Sequence, residues 1–123
     1  MRLVIVESPY AGDLEANVAY ARASVADALA RGEAPFASHL LYTQPGILRD
    51  EVPPEREKGI AAAMAWYRAA DAAVVYTDRG ISRGMEFGIA TAKAAGKPVE
   101  FRKIWACRAE IVGGAVTGRP QES

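Results

Sequence analysis

Four short apolar runs alternate with segments whose apolar residues recur at helical spacing, and no hairpin signal joins one run to the next. The first run is "RLVIVE", ending at Glu7. "SPYAGD" breaks it, and Leu14, Val18, Ala21, Val25 and Leu29 then mark one helical face up to Gly32, with Asp13 as a candidate cap. "APFASHLLY" is a second short strand with its exit, and "TQPGILRDEVPPERE" is a polar, proline-containing loop over one end of the sheet. A second helix spans about 55–70, "AAVVYT" is a third strand, a third helix spans about 83–95, and "KPVEFR" is a fourth strand. The strands are expected near 3–6, 35–38, 73–76 and 98–101. Strand–helix alternation of this kind predicts an α/β fold, with a parallel sheet of four or five strands covered by helices on both faces. From Lys103 onward "AEIVGGAV" is a candidate fifth strand, and "TGRPQES" is a frayed end.

A chain of 123 residues suits a single domain, here taken as 1–123. Fifteen basic and fifteen acidic residues cancel, so bulk charge points to neither a nucleic acid polymer nor a membrane. No run approaches membrane-spanning length, and the start does not have the form of a signal peptide. Cys107 is the only cysteine and His39 the only histidine, so neither an internal disulfide nor a metal cluster is expected. A cytoplasmic protein without metal or cofactor follows as the expectation. "AAAMAWY" puts Met64, Trp66 and Tyr67 on more than one side of the second helix, which predicts a homo-oligomeric interface there.

Parallel sheets of this type bind ligands at the carboxyl ends of their strands. The chain places Ser8 to Asp13 there after strand one, Ser38 and His39 after strand two, and Asp78 to Glu86 after strand three. Glu86 lies in "GISRGMEFG", where a buried strand turns into a helix. One reading is a first-turn carboxylate facing the positive end of the helix dipole, a stabilisation of roughly 0.3–1 kcal/mol. The other is a nucleophile: Gly84 and Gly88 let a ligand come close, and a carboxylate can attack the anomeric carbon of a sugar through an oxocarbenium-like transition state. Tyr10 either orients Glu86 or a sugar hydroxyl, or packs as a lid. Ser8 and Ser82 offer hydroxyls to a ligand or to a cap. Arg79 and Arg83 either meet a phosphate or stay solvated. Asp78 is an acid or a turn acceptor, and Asp71 caps the turn into strand three. His39 is structural or touches ligand, and Gly12 belongs to the turn that carries Tyr10.

"GMEFG" followed by "AKAAGKPV" resembles the signature of nucleoside 2-deoxyribosyltransferases, and "SPYAGD" is similar to that family's first motif. Trp66 to Asp71 resembles the lead-in of the related deoxynucleoside 5′-monophosphate N-glycosidases. "SPYAGDLEANVAYAR", "HLLYTQ" and "DRGISRGM" look closer still to a small branch of this superfamily found in bacteria and phages. The resemblance covers roughly residues 2 to 101. It implies a Rossmann- or flavodoxin-like three-layer sandwich, oligomeric assembly, and cleavage of the N-glycosidic bond of a nucleoside or nucleotide without a cofactor. Glu86 stands at the nucleophile's position, Tyr10 at its orienter's, and Ser8, Gly12, His39, Ser82, Arg83 and Gly84 become substrate-binding candidates. The sequence departs from the pattern at Gly80 and Ala63, where acids that assist the leaving base are expected; Asp78 is a candidate to replace the first. The alternative is a module of the same fold that binds nucleotide without turnover.

Overall fold

A computed structural model describes residues 1–105, so Cys107 and the candidate fifth strand lie outside the described residues. In chain order the elements are β1 (Leu3–Glu7), α1 (Leu14–Ala30), β2 (Ala34–Phe36), α2 (Ser38–Leu41), α3 (Pro53–Ala69), β3 (Ala72–Tyr76), α4 (Arg83–Ala94) and β4 (Val99–Arg102). The four strands form one sheet in the order β2-β1-β3-β4, and every pairing is parallel. This is the α/β architecture expected from the alternation.

β3, "AAVVY", is buried along its whole length, because a central parallel strand is covered on both faces. Side chains alternate between the two layers. Val4 and Val6 of β1 and Ala72, Val74 and Tyr76 of β3 pack with Tyr20 and Ala28 of α1. Ile5 and Ala73 point the other way and pack with Tyr67 and Ala70 at the end of α3 and Ala92 of α4. Helix α1 therefore covers one face and α3 and α4 cover the other. None of the described helices is long and apolar enough to cross a membrane.

Three local expectations change. The stripe on α1 is rotated: Leu14 and Leu29 are exposed, and Asn17, Tyr20, Ala21, Ser24 and Ala28 face inward. The polar members of that face find partners, which removes the cost of burying them. Asn17 donates to the Tyr10 and Ala11 carbonyls, Tyr20 donates to Asp78, and Ser24 donates to the Tyr20 carbonyl. Second, β2 ends at Phe36, and Ser38 and His39 open the short helix α2 instead of ending a strand. Third, α3 begins at Pro53 rather than near residue 55, since proline needs no amide partner in a first turn.

Helix α3 is also more inward-facing than its apolar content suggested. Tyr67 is buried, and Met64 packs against the core. Trp66 is half-exposed; it lies 4.8 Å from Phe36, ring centre to ring centre, and donates to the Tyr42 hydroxyl.

Candidate functional site

The strand order reverses direction between β1 and β3, and ligands in open α/β sheets settle outside the carboxyl ends of the strands at such a point. A cavity of about 680 Å³ opens at this rim. The loop after β1 contributes Ser8, Tyr10 and Ala11; the end of β2 and α2 contribute Ser38 and His39. The start of α4 contributes Ser82, Arg83, Gly84, Phe87 and Gly88. One stripe of α3 forms the remaining wall, with Arg56, Gly59, Ile60, Ala63 and Tyr67 at helical spacing. Ala63, one of the two departures from the family pattern, is thus part of this wall.

The carboxyl group of Glu7 lines the cavity at the end of β1. Tyr67 donates its phenol proton to Glu7 Oε2. Helix α4 presses close at the same place: a Cβ on Gly88 would stand 2.5 Å from the Glu7 Cδ and 2.7 Å from the Tyr67 hydroxyl. Only glycine leaves room there for the carboxyl. Burial pushes the Glu7 carboxyl up from 4.5 to about 8, because an enclosed site disfavours its charged form. Glu7 is therefore largely protonated at neutral pH.

His39 lines the same cavity, and its Nε2 lies 2.7 Å from the Ser8 hydroxyl. Burial lowers its pKa from 6.5 to about 4, so the imidazole is neutral at neutral pH. The ring of Tyr10 stands edge-on to His39, with centroids 6.4 Å apart. Ser82 has two placements at once. Its hydroxyl accepts from the Met85 amide at 3.2 Å as the N-cap of α4, and the residue also lines the cavity.

Of the residues singled out in the sequence, Ser8, Tyr10, His39, Ser82, Arg83 and Gly84 come together around the cavity. Gly12, Asp71, Asp78, Arg79 and Glu86 do not line it. Gly12 sits in the preceding turn with φ +101°, a conformation that explains the glycine by backbone geometry alone. The carboxyl of Asp78 is occupied: it accepts from the Tyr20 hydroxyl and from the amides of Ile104 and Trp105. That places Asp78 in the turn-acceptor role, tying α1, β3 and the chain beyond β4 together. Glu86 lies in the first turn of α4, exposed, on the opposite side of the helix from Gly84 and Gly88. Arg79 donates to the Asn17 side chain, and Asp71 accepts from the Leu3 amide, both structural placements.

Glu7 and Tyr67 are the hydrogen-bonded pair that sequence reasoning missed as site members. Glu7 had a legible signal, being the one charged residue that closes an apolar strand just before a rim turn. Tyr67 had none, since its place opposite Glu7 depends on how α3 packs against β1.

Two solved structures share the fold. A 2-deoxyribosyltransferase from the psychrotolerant bacterium Bacillus psychrosaccharolyticus aligns with a TM-score of 0.59 at 16% identity, over 82% of this chain and 72% of that one. A 2-deoxyribosyltransferase from Leishmania mexicana aligns with a TM-score of 0.56 at 15% identity, over 89% of this chain and 72% of that one. No curated protein matches the chain. A family model described as a domain of unknown function, DUF7768, matches residues 2–102, the whole of the described sheet and its helices, and the chain belongs to that family.

Proposed function

We propose that the chain binds a nucleoside or nucleotide in this cavity and cleaves its N-glycosidic bond, or transfers the sugar to an acceptor. The observation that carries this reading is the composition of the rim: an enclosed carboxyl, a neutral imidazole, serine hydroxyls and aromatic side chains around about 680 Å³ at the reversal of strand order. That volume suits a nucleoside-sized ligand. Tyr10 and Phe87 offer faces to a base, and Arg83 at the start of α4 offers a cation to a 5′-phosphate. The fold shared with 2-deoxyribosyltransferases supports the same substrate class.

Glu86 is the nucleophile by resemblance, but its exposed place outside the cavity lining does not favour attack by this group. The purified protein, incubated with a panel of nucleosides and 5′-monophosphates, is expected to release free base from at least one of them, read by chromatography. Glu86→Gln is expected to retain that release within a few-fold. A loss of several orders of magnitude, with a 2-fluoro-nucleoside adduct mapped to Glu86 by mass spectrometry, would return attack to this residue.

A second reading, a binding module without turnover, has its own support: the cavity carboxyl nearest the strand ends is held protonated and is a poor nucleophile in that state. Binding of a nucleotide by calorimetry, without release of base from any substrate, would establish it.

A further inference from the structure

We propose that Glu7 is the proton donor to the departing base, with Tyr67 as the residue that positions it. This rests on the glycosidic reading above and goes beyond it by assigning the acid. The geometry is specific. Glu7 ends β1, an inner strand of the sheet, and its backbone is held there by pairing with Val75 of β3. Its carboxyl reaches into the cavity beneath α4, against Gly88, whose missing side chain is the space the carboxyl fills. Tyr67 donates to Oε2, which leaves Oε1 to carry the acidic proton.

The groups around Glu7 leave burial as the cause of its protonation. From α3 the facing titratable group is the Tyr67 hydroxyl, and Glu55 and Arg56 lie farther along the same wall. From α2 comes His39, neutral and engaged with Ser8; from the β1 exit comes Tyr10; from the connecting loop comes Asp50; and α4 contributes Arg83 at its start. None of these charges contributes to the shift, which comes from desolvation. A carboxyl with a pKa of about 8 holds its proton at neutral pH and gives it up to a moderately basic acceptor, which is the property a general acid needs.

In the step itself, the C1′–N bond breaks and its electron pair stays on the base. The proton on Glu7 moves to a nitrogen or oxygen of that base, so the base leaves neutral. The sugar cation is captured by water, forming a C1′–O bond, and the proton released by that water returns to the Glu7 carboxylate. In transfer, an acceptor base with an N–H takes the place of water and returns its proton in the same way.

The test compares leaving groups. On the best nucleoside or nucleotide substrate, Glu7→Gln is expected to lose about 10²–10⁴-fold in base release. On the 4-nitrophenyl glycoside of the same sugar, whose phenolate departs without a proton, the loss is expected to stay below about tenfold. Gly88→Ala, which displaces the carboxyl and leaves its chemistry intact, is expected to show the same pattern. Tyr67→Phe is expected to move the basic limb of the wild-type kcat/KM profile, which lies near pH 8 on the nucleoside and is absent on the 4-nitrophenyl glycoside. A carbon-13 titration of the glutamate carboxyls reads Glu7 directly, with its resonance assigned by loss in Glu7→Gln. Titration near 4.5, or an equal loss on both substrates, overturns the assignment while base release by the wild type keeps the glycosidic reading. Absence of base release from every substrate overturns both.

Discussion

Glu7 and His39 are both titratable, both in the cavity wall, and both held neutral by burial, and their effects on stability run in opposite directions. The native chain keeps a proton on Glu7 up to about pH 8 that the unfolded chain gives up near 4.5. Between those values the native state binds more protons, so stability falls as pH rises. The native chain refuses a proton on His39 until about pH 4, whereas the unfolded chain takes one at 6.5. Between those values the unfolded state binds more protons, so stability rises with pH. The two slopes offset each other from about 4.5 to 6.5, and above 6.5 Glu7 acts alone. Urea unfolding of the wild type is expected to show a loss of about 1–2 kcal/mol between pH 6.5 and pH 8. In Glu7→Gln that loss is expected to be absent, and a wild-type curve that is flat or rising over this interval would contradict the burial of the carboxyl. Asp78 makes the opposite point at the same scale. Its three hydrogen-bond donors occupy both oxygens and tie α1, β3 and the chain beyond β4 together.

Helix α4 shows how one element can be set by local rules and still serve the site. Ser82 caps it, Met85 accepts the Ser82 amide in return, and Lys93 lies in its last turn where the dipole favours a cation. Ser82→Ala is expected to lower stability by about 1 kcal/mol, and Ser82→Asp, which keeps the capping oxygen, by less. Thermal unfolding separates the two; equal Tm values would mean that the cap contributes nothing. Because Ser82 also lines the cavity, the alanine variant is expected to weaken ligand binding beyond its effect on Tm. The edge strand β2 follows a similar logic. It is only three residues long and carries Pro35, two features that discourage pairing with another chain along that edge.

At the scale of the whole molecule, half-exposed Trp66 is what remains of the apolar surface that α3 was expected to offer, since Tyr67 and Met64 are spent inside the chain. Phe87 and Ile81 are also exposed at the cavity end of the sheet. We propose that these surfaces meet in a homo-oligomer. Sedimentation at micromolar concentration is expected to give a mass above the 13.1 kDa of one chain, and Trp66→Glu or Phe87→Glu to lower it. A monomer in the wild type would contradict the proposal. The parallel sheet, its four strands and the rim where Ser8, Tyr10, His39 and Ser82 meet were all legible in the sequence. Apolar runs of strand length, helical spacing and turn residues are local signals, and alternation leaves few ways to connect them. The inward face of α1 was not legible, because the burial of Tyr20 and Asn17 depends on Asp78 and Arg79, which lie far away in the chain, while Ser24 turns back onto the Tyr20 carbonyl of its own helix. The same holds for the site. That Glu86 faces outward follows from the angle at which α4 docks, and a one-residue step on a helix turns a side chain by 100°. That Glu7 is enclosed follows from Tyr67 and Gly88 closing over it from two other elements, sixty and eighty-one residues later in the chain. A carboxyl's protonation depends on what surrounds it, and for Glu7 those surroundings exist only in the folded chain.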